Sequence, residues 1–248
     1  MNDISAYIHS ELLKVDFDLF NIISKYIELN NGIKIAFVGG YIRDLLINRI
    51  HKEASIKPLD IDIVTEGSSL DLAKFIKKNI SNVELCLIKE FEIYNTVELI
   101  INDLKIDIAS ARKEIYESPG LNPTLQNTNI KEDLKRRDFS INAIAFEISM
   151  KEIYDSFEGI LHIKRKELHL LHENSIEDDP SRLIRCARYA SRLGFTISSA
   201  SLQQSKKIVH KWPWEDIQDD KKSKFPPGIS IRIRMELSEI YKHDNLAK

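Results

Sequence analysis

The sequence predicts an α/β domain up to about residue 150, followed by a mainly helical domain. Three observations carry this prediction. Short apolar runs of strand length alternate with segments of helical spacing in the first half of the chain. Two strand-like runs are separated only by Asn102-Asp103, a polar pair suited to a hairpin turn. From Glu132 onward helical spacing dominates, apart from a short apolar segment near Ala143–Ile148.

Local sequence features predict where the elements of the α/β domain begin and end. Gly39-Gly40 ends the first strand, because glycine tolerates the backbone conformations at which regular structure stops. Ser68 or Ser69 is expected to cap the helix that follows the second strand. The predicted elements, in chain order, are a helical segment at 4–30, a strand at Ile33–Val38, a helix at Tyr41–Asn48, a strand at Leu59–Val64, a helix at Ser69–Lys78, and strands at Glu84–Ile88, Thr96–Ile101 and Leu104–Ser110.

Loops mark the larger divisions of the chain. Pro119, Gly120 and Pro123 indicate a long loop, and residues 212–228 are predicted to form a loop between two C-terminal helices. The expected domains are an N-terminal helical segment at 1–32, an α/β domain at 33–150, and a helical domain at 151–248 that contains the loop 212–228.

The composition is typical of a soluble protein. The chain has 36 basic and 38 acidic residues and a formal net charge of −2. This balance argues against a protein that coats nucleic acid without specificity, although basic residues can still cluster on one face. No apolar run approaches the roughly 18–20 residues of a membrane-spanning helix, and the acidic N-terminus does not resemble a signal peptide. We therefore expect a cytoplasmic protein with no membrane partner, with Cys86 and Cys186 as buried, reduced thiols.

Acidic residues share one face of the second predicted strand. In Leu59-Asp60-Ile61-Asp62-Ile63 the side chains alternate, so Asp60 and Asp62 point the same way. Asp107, in a later strand, joins them if the two strands are neighbours. Adjacent carboxylates repel each other unless a cation lies between them, and their oxygens suit a hard divalent metal. The alternative interpretation is a half-exposed strand with ordinary acidic residues turned outward.

A glycine pair links the first strand to the first predicted helix of the α/β domain. Glycine allows close backbone approach, and the N–H groups at a helix N-terminus can hold phosphate oxygens. Gly39-Gly40 is therefore either a phosphate cradle or an ordinary turn. The acidic strand follows after one loop, and this order favours the cradle.

The order of these motifs, G-G-x-x-R-D, a loop, and D-x-D-x-V, resembles the head domain of class II tRNA nucleotidyltransferases (CCA-adding enzymes). It also resembles the related bacterial poly(A) polymerases, and both belong to the polymerase-β-like superfamily. Three further blocks resemble the family in the same order. The matching residues are Gly39, Gly40, Arg43, Asp44, Asp60, Asp62 and Val64, then Ile106–Arg112, Arg136–Ala143 and Asp178–Arg185, continuing to Phe195.

The resemblance implies a fold, a cofactor and a set of roles. The implied fold is an α/β polymerase-β-like head with a small mixed sheet and helices, followed by a helical neck. The implied cofactor is Mg²⁺, held by Asp60, Asp62 and Asp107, and the implied partners are CTP, ATP and the tRNA 3′ end. The implied nucleotide-binding residues are Gly39, Gly40 and Arg43 for the triphosphate, Arg137, Asp138 and Asn142 for ribose and phosphates, and Asp179 and Arg182 for the base.

Two groups in the last block have their own physical rationale. Asp179 and Arg182 are at i and i+3, and on a helix they face the same way, so together they complement the pairing edge of a base. The alternative is a salt bridge on a helix surface. Arg185, Arg188 and Arg192 recur along one helix face. They bind either phosphates of the triphosphate or of tRNA, or acidic residues nearby.

The sequence departs from the family at several positions. Asp178 stands where Glu is usual, and Tyr94-Asn95-Thr96 where a Gly-Thr pair is usual. Beyond the loop 212–228, Arg232–Leu237 resembles the family's R-I-x-x-E-L helix. The sequence ends at Lys248, before the body and tail domains that hold tRNA in the family. We therefore expect weaker tRNA binding, or an oligomer or second chain that supplies the missing contacts with tRNA.

Three functions stay open at this stage. The first is a tRNA nucleotidyltransferase that adds C and A to the 3′ end and releases pyrophosphate. The second uses the same chemistry to add only CC, only A, or a poly(A) tail. The third is a nucleotide-binding remnant without productive tRNA engagement. The intact carboxylates Asp60 and Asp62 favour the enzymes over the remnant.

Overall fold

The computed structural model of the chain describes residues 2–52, 56, 60–81, 83, 85–117, 122–211 and 227–243. Its strands, in chain order, are β1 (Ile35–Val38), β2 (Asp60–Thr65), β3 (Cys86–Phe91), β4 (Thr96–Ile101), β5 (Leu104–Ser110), β6 (Arg112–Ile115), β7 (Thr124–Asn127), β8 (Ala145–Glu147), β9 (Glu152–Tyr154), β10 (Glu167–Leu168) and β11 (Thr196–Ile197). Its helices are α1 (Asn2–Leu12), α2 (Leu19–Leu29), α3 (Gly39–Ile50), α4 (Ser69–Asn79), α5 (Ile130–Lys135), α6 (Gly159–Arg165), α7 (Ser175–Asp178), α8 (Ser181–Leu193), α9 (Ser199–Lys211) and α10 (Pro227–His243).

One mixed sheet organises the first part of the molecule. Seven strands lie in the order β3-β4-β5-β2-β1-β8-β9. The β2–β5 pair is parallel, whereas the other neighbouring pairs are antiparallel. The chain after the sheet is mainly helical, and α8 lies against α10. The predicted class, an α/β head with a mixed sheet followed by a helical part, is confirmed.

Strand β1 is buried on both faces. Ile35 and Phe37 pack into the larger hydrophobic core, which includes residues of α2 and α3. Ala36 and Val38 face the other way into a second cluster with Ile130 of α5. A strand that is covered on both faces has a continuous apolar sequence, and the apolar run Ile33–Val38 predicts a strand for this reason. The residues directly after β1 are therefore attached to a well-packed support.

Local rules placed several elements of the sheet region correctly. Strands β4 and β5 have the predicted bounds, and the turn between them contains Asn102-Asp103 as expected. Helix α4 begins at the predicted residue, and the Ser68 hydroxyl accepts a 3.1 Å hydrogen bond from the Asp71 backbone N–H. This bond satisfies a donor that the first turn of a helix leaves without an intrahelical partner.

The N-terminal helical segment predicted at 4–30 is two helices rather than one. A 3₁₀ turn at Asp16–Asp18 separates α1 from α2. Phe17 and Asp18 there have φ angles of 69° and 56°, which a right-handed helix cannot contain. Asp tolerates a positive φ better than most residues, but Phe does not, and the apolar periodicity on both sides concealed the break.

The prediction of mainly helical structure from Glu132 onward is only partly right. Strand β8 lies within the excepted segment near Ala143–Ile148, but β9 follows it and extends the sheet further. A further hairpin, β6–β7, occupies part of the segment predicted as a long loop. These strands contain three or four residues each, too few for their periodicity to separate strand from helix. The last strand of the sheet lies just beyond residue 150, and the domain division there stays a prediction.

Some sequence predictions lie outside the described residues. They include Leu59, Glu84, Pro119, Gly120 and residues 212–226 of the predicted loop 212–228, whose last two residues instead begin α10. In the part of the chain that is described, no helix is long and apolar enough to cross a membrane. Cys86 and Cys186 are free thiols, as predicted, but Cys186 is buried whereas Cys86 is only half-buried.

Candidate active site

The parallel register of β2 and β5 brings together the acidic residues predicted from the sequence. Asp62 lies opposite Asp107, and Asp60 is two residues earlier on the same face of β2. Asp60 is exposed, whereas Asp62 and Asp107 are half-buried. The condition for Asp107 to join the pair, that its strand is the neighbour of β2, is therefore met.

The Asp62 carboxylate lies in an environment that disfavours its negative charge. Burial raises its pKa to about 6; Arg137 opposes this rise, whereas Asp107 and Asp60 add to it. Lys105 Nζ, 2.9 Å from Asp107 Oδ2, supplies one countercharge. Among the described residues, no three His, Cys, Asp or Glu side chains already stand as a set of metal ligands. The oxygen donors nevertheless fit a hard divalent cation, which would relieve the repulsion once the carboxylates turned toward it.

Gly39 and Gly40, the first two residues of α3, form the turn that follows β1 and lie next to Asp62. Gly39 has a φ of 68°, in the left-handed region that favours glycine. The Gly40 N–H donates a 3.3 Å hydrogen bond to Asp62 Oδ2. A Cβ on Gly39 would lie 2.6 Å from the same oxygen. Close approach of this turn to the carboxylate therefore depends on the absence of a side chain.

A cleft of about 600 Å³ opens beside this turn. Its volume is in the range of small-molecule and cofactor sites. The hairpin β6–β7 region, α8 and α10 also contribute to its walls. Of the predicted site residues, it is lined by Gly39, Gly40, Asp62, Arg137, Asp138, Asn142, Asp179, Arg182 and Arg185. Asp60, Asp107, Arg43 and Arg188 do not belong to this lining.

Arg43, predicted to bind the triphosphate, is buried beneath the cleft with 2% exposure. Its Nε donates to Asp44 Oδ1 at 2.7 Å, and its Nη1 donates to Asn142 Oδ1 at 2.8 Å. Its guanidinium lies 5.0 Å from the ring centroid of Tyr189. In this arrangement Arg43 supports Asn142 from below, and its contacts connect α3 with α8.

Asp138, in the segment that follows α5, is linked to α8 through Arg185. Its Oδ1 accepts hydrogen bonds from the Phe139 backbone N–H at 2.7 Å and from Asn142 Nδ2 at 3.0 Å. Its Oδ2 accepts one from Arg185 Nη1 at 3.2 Å. Burial alone would raise the pKa of Asp138, but Arg185 and the Asn142 hydrogen bond outweigh it and hold the pKa below its usual value. Asp138 therefore presents a fixed negative charge at the cleft wall.

Asp133, which the sequence did not identify, anchors the two arginines before Asp138. Its fully buried carboxylate accepts from Arg136 Nε at 2.9 Å and from Arg137 Nη2 at 3.2 Å. Burial would raise its pKa, but Arg137 and Arg136 outweigh that effect and lower it. Arg137 is held close to the glycine turn, since a Cβ on Gly39 would lie 3.3 Å from its Nη1.

The substitution Asp133→Asn is expected to lower the free energy of unfolding by about 3 kcal/mol at pH 7, because two arginines lose their buried countercharge. The pKa of Asp133 is depressed in the folded chain. Its stabilisation is therefore present above the unfolded-state pKa, which is about 4, and is lost as the pH falls through the folded-state pKa. Urea denaturation at several pH values measures this difference.

Glu132→Gln is the matched control for that experiment. Glu132 lies in the same helix, and the ion pair it forms with Lys135 is partly exposed. Its loss is expected to cost less than about 0.5 kcal/mol. If Asp133→Asn destabilised the chain equally at pH 7 and at pH 3, the charge of Asp133 would not be the cause.

The predicted base-reading pair does not form a helical i, i+3 contact. Asp179 precedes α8 in extended conformation, with φ −141° and ψ 95°. Its Oδ1 accepts from the Ser181 N–H at 3.1 Å and from Ser181 Oγ at 2.7 Å. Arg182 points inward, where Nη1 donates to Ser175 O at 3.2 Å and Nη2 to Arg136 O at 2.8 Å. Both residues line the cleft, but each is held by other groups.

The arginines along α8 bind acidic residues, the second of the two interpretations left open by the sequence. Arg185 Nε donates to Glu236 Oε1 of α10 at 2.6 Å, and Arg188 Nε donates to Glu236 Oε2 at 3.0 Å. Arg192 Nη2 lies 3.9 Å from Asp44 Oδ2. Glu236 is buried, so its carboxylate neutralises two cations at the interface of α8 and α10.

Sequence reasoning gave no role to Asp133, Glu236 or Arg232. Glu236 and Arg232 lie in the R-I-x-x-E-L match, which was a usable signal, but a short motif does not say which residues it contacts. Asp133 carried no signal beyond an acidic residue shortly before two arginines. Its importance follows from complete burial, which depends on how α5 packs against the sheet.

Comparison with known proteins shows similarity to one family. The family model for the poly(A) polymerase head domain matches residues 35–169. An A-adding tRNA nucleotidyltransferase of Aquifex aeolicus is 34% identical over 182 residues, 72% of this chain and 21% of that protein. A CC-adding tRNA nucleotidyltransferase of Deinococcus radiodurans is 34% identical over 163 residues, 64% of this chain and 41% of that protein.

The fold is also similar to a solved structure. A CCA-adding enzyme in an apo form superposes with a TM-score of 0.75 and 32% identity, over 95% of this chain and 52% of that one. The chain thus spans about half or less of the length of these three similar proteins. The residues that the family model matches, 35–169, contain the seven-stranded sheet, the glycine turn and the segment Arg136–Asn142 of the cleft lining.

Proposed function

This chain belongs to the poly(A) polymerase head-domain family, and we propose that it carries the catalytic head and neck of a template-independent tRNA nucleotidyltransferase. In the proposed reaction, C, A or both are added to the 3′ end of tRNA from CTP and ATP. Mg²⁺ is the proposed cofactor, and pyrophosphate is released. The activities of the two relatives, addition of A and addition of CC, support this reaction class.

The observation that carries the proposal is the parallel register of β2 and β5. It sets Asp62 beside Asp107, with Asp60 on the same face, and the glycine turn after β1 lies directly against Asp62. Mg²⁺ held by these three carboxylates would lower the pKa of the attacking 3′-hydroxyl and stabilise the departing pyrophosphate. This arrangement, in which Asp62 also lines the cleft, supports a site for cation-assisted phosphoryl transfer there.

The chain's own groups would hold the nucleotide around that point. The start of α3 offers backbone N–H groups without intrahelical partners, and the Arg137 guanidinium lies beside them; both suit triphosphate oxygens. Asp138 and Asn142, fixed to each other at 3.0 Å, suit ribose hydroxyls. Asp179 suits the exocyclic amine of the base. Arg43 would act on the nucleotide through Asn142, because its side chain is buried and its Nε and Nη1 are bound to Asp44 and Asn142.

The order of nucleotide incorporation tests the proposal and assigns the product. Labelled CTP and ATP, each alone and both together, are supplied with Mg²⁺ to tRNAs that end before CCA, after the first C, and after CC. We expect incorporation in a defined order, with the rate falling at least about a thousandfold when EDTA removes the metal. Repeated addition of A to any RNA end would instead assign poly(A) synthesis, the alternative that the family name favours.

A second readout separates the enzyme from a nucleotide-binding remnant. Equilibrium titration with CTP and ATP, without tRNA, reports binding independently of transfer. Binding of both nucleotides with no transfer to any of the acceptors would contradict the proposed enzyme and support the remnant. Transfer that continued unchanged in EDTA would contradict the role of the metal.

A further inference from the structure

Arg232 of α10 reaches into the cleft and contacts Asp179. Its Nε lies 3.2 Å from Asp179 Oδ1, and both side chains are mostly buried, 24% and 15% exposed. Its Nη1 donates to Asn122 Oδ1 at 3.2 Å, on the loop of the hairpin β6–β7. Arg232 therefore connects Asp179 to the opposite wall of the cleft.

The other guanidinium near Asp179 is directed elsewhere. Arg182 donates to backbone oxygens of Ser175 and Arg136, and its side chain is 6% exposed. These contacts tie α7, α8 and the segment after α5 together. The guanidinium that pairs with the Asp179 carboxylate is consequently that of Arg232, which comes from a helix about fifty positions further along the chain.

The position of Arg232 is fixed by its own helix. Glu236, one turn later in α10, binds both Arg185 and Arg188 of α8. This buried ion cluster sets the register of α10 against α8, and Arg232 lies on the same side of α10. The three contacts on Asp179 from Ser181 and Arg232 all fall on Oδ1. Oδ2 accepts no hydrogen bond from the described residues, so it is the oxygen available to a ligand.

We infer that Arg232 is a positioning residue for base selection: it sets the direction in which Asp179 presents its carboxylate to the base. The inference rests on the proposed function. Cytosine and adenine both carry an exocyclic amine that a carboxylate can accept from, but they differ in where the ring acceptors lie beside it. A carboxylate held at one angle by a guanidinium therefore favours one base over the other, whereas a free carboxylate accommodates both.

Three variants test this role. Arg232→Gln removes the cation beside Asp179, Arg232→Lys keeps a positive charge without the planar guanidinium, and Arg234→Gln is the matched control on an exposed position of the same helix. The dissociation constants for CTP and ATP are measured by equilibrium titration. Values of kcat and KM for each nucleotide are then measured on the tRNA acceptor that the unsubstituted chain extends. Thermal melting verifies that each variant is folded.

Arg232→Gln is expected to change the ratio of the CTP and ATP dissociation constants by about tenfold. In the kinetic measurement, the KM values should change more than kcat. Arg232→Lys should give an intermediate ratio, and Arg234→Gln the ratio of the unsubstituted chain. If Arg232→Gln weakened both nucleotides equally, or left the ratio within about twofold, the inference would be overturned while the proposed function stood. If the unsubstituted chain bound neither nucleotide, both would be overturned.

Discussion

Replacement of Asp62 by Asn is expected to lower the rate of nucleotide incorporation by about a thousandfold or more and to leave the chain folded. Asn has the same shape and keeps an oxygen that can accept the Gly40 N–H, whose present bond to Asp62 is 3.3 Å long. The substitution removes the negative charge that a divalent cation needs at the centre of the acidic group. The rate is measured with saturating nucleotide, tRNA and Mg²⁺.

Asp103→Asn is the matched control, because Asp103 is exposed in the turn between β4 and β5. It should retain the full rate. In metal-free buffer the Asp62→Asn variant should melt at or above the temperature of the unsubstituted chain, since burial and the neighbouring carboxylates disfavour the charge of Asp62. A folded variant with a rate within about tenfold of the original would exclude Asp62 as an essential metal ligand.

The second large effect is expected for Gly39→Ala, which should reduce incorporation by about a hundredfold and stability by about 1–2 kcal/mol. The loss of stability comes from the φ of 68°, which costs any residue with a Cβ more than glycine. The loss of activity has a different cause. The new Cβ would lie 2.6 Å from Asp62 Oδ2 and would push that carboxylate out of position.

Gly194→Ala separates these two causes. Gly194 ends α8 with a φ of 64°, but a Cβ there would meet nothing within 4 Å. It should therefore lose a similar amount of stability and keep its activity. Urea denaturation and incorporation rates, the latter measured well below the melting temperature, give both quantities. Equal loss of activity in the two variants would show that backbone strain, and not the collision with Asp62, is responsible.

The carboxylates Asp60, Asp62 and Asp107 show how much of the site a local sequence pattern can predict. Alternation along a strand was sufficient to put Asp60 and Asp62 on one face, and that face is the one observed. The contribution of Asp107 was conditional, because a parallel neighbour is joined by a crossover whose course no local pattern records. The structure supplies the missing step with the β2–β5 pairing.

The arginines of α8 show what a local sequence pattern cannot predict, namely the groups that their side chains contact. Their spacing predicted a shared face, but not whether that face meets phosphate or carboxylate. The answer depends on Glu236, which is 51 positions from Arg185 and 48 from Arg188. The buried anchor Asp133 was missed for a related reason, since burial is a property of the packed chain. Asp179 and Arg182 were assigned to one helix face, whereas α8 begins only after Asp179.

The ion cluster around Glu236 limits how this chain can be divided experimentally. A fragment that stops after α9 would keep Arg185 and Arg188 but lose the carboxylate that neutralises both. Asp138 would be left as an acidic contact of Arg185, and the ion pairs that hold the side chains of Arg185 and Arg188 in place would be lost. Minimal versions of the protein for crystallisation or engineering should therefore retain α10, even though the sheet and its carboxylates lie wholly in the first part of the chain.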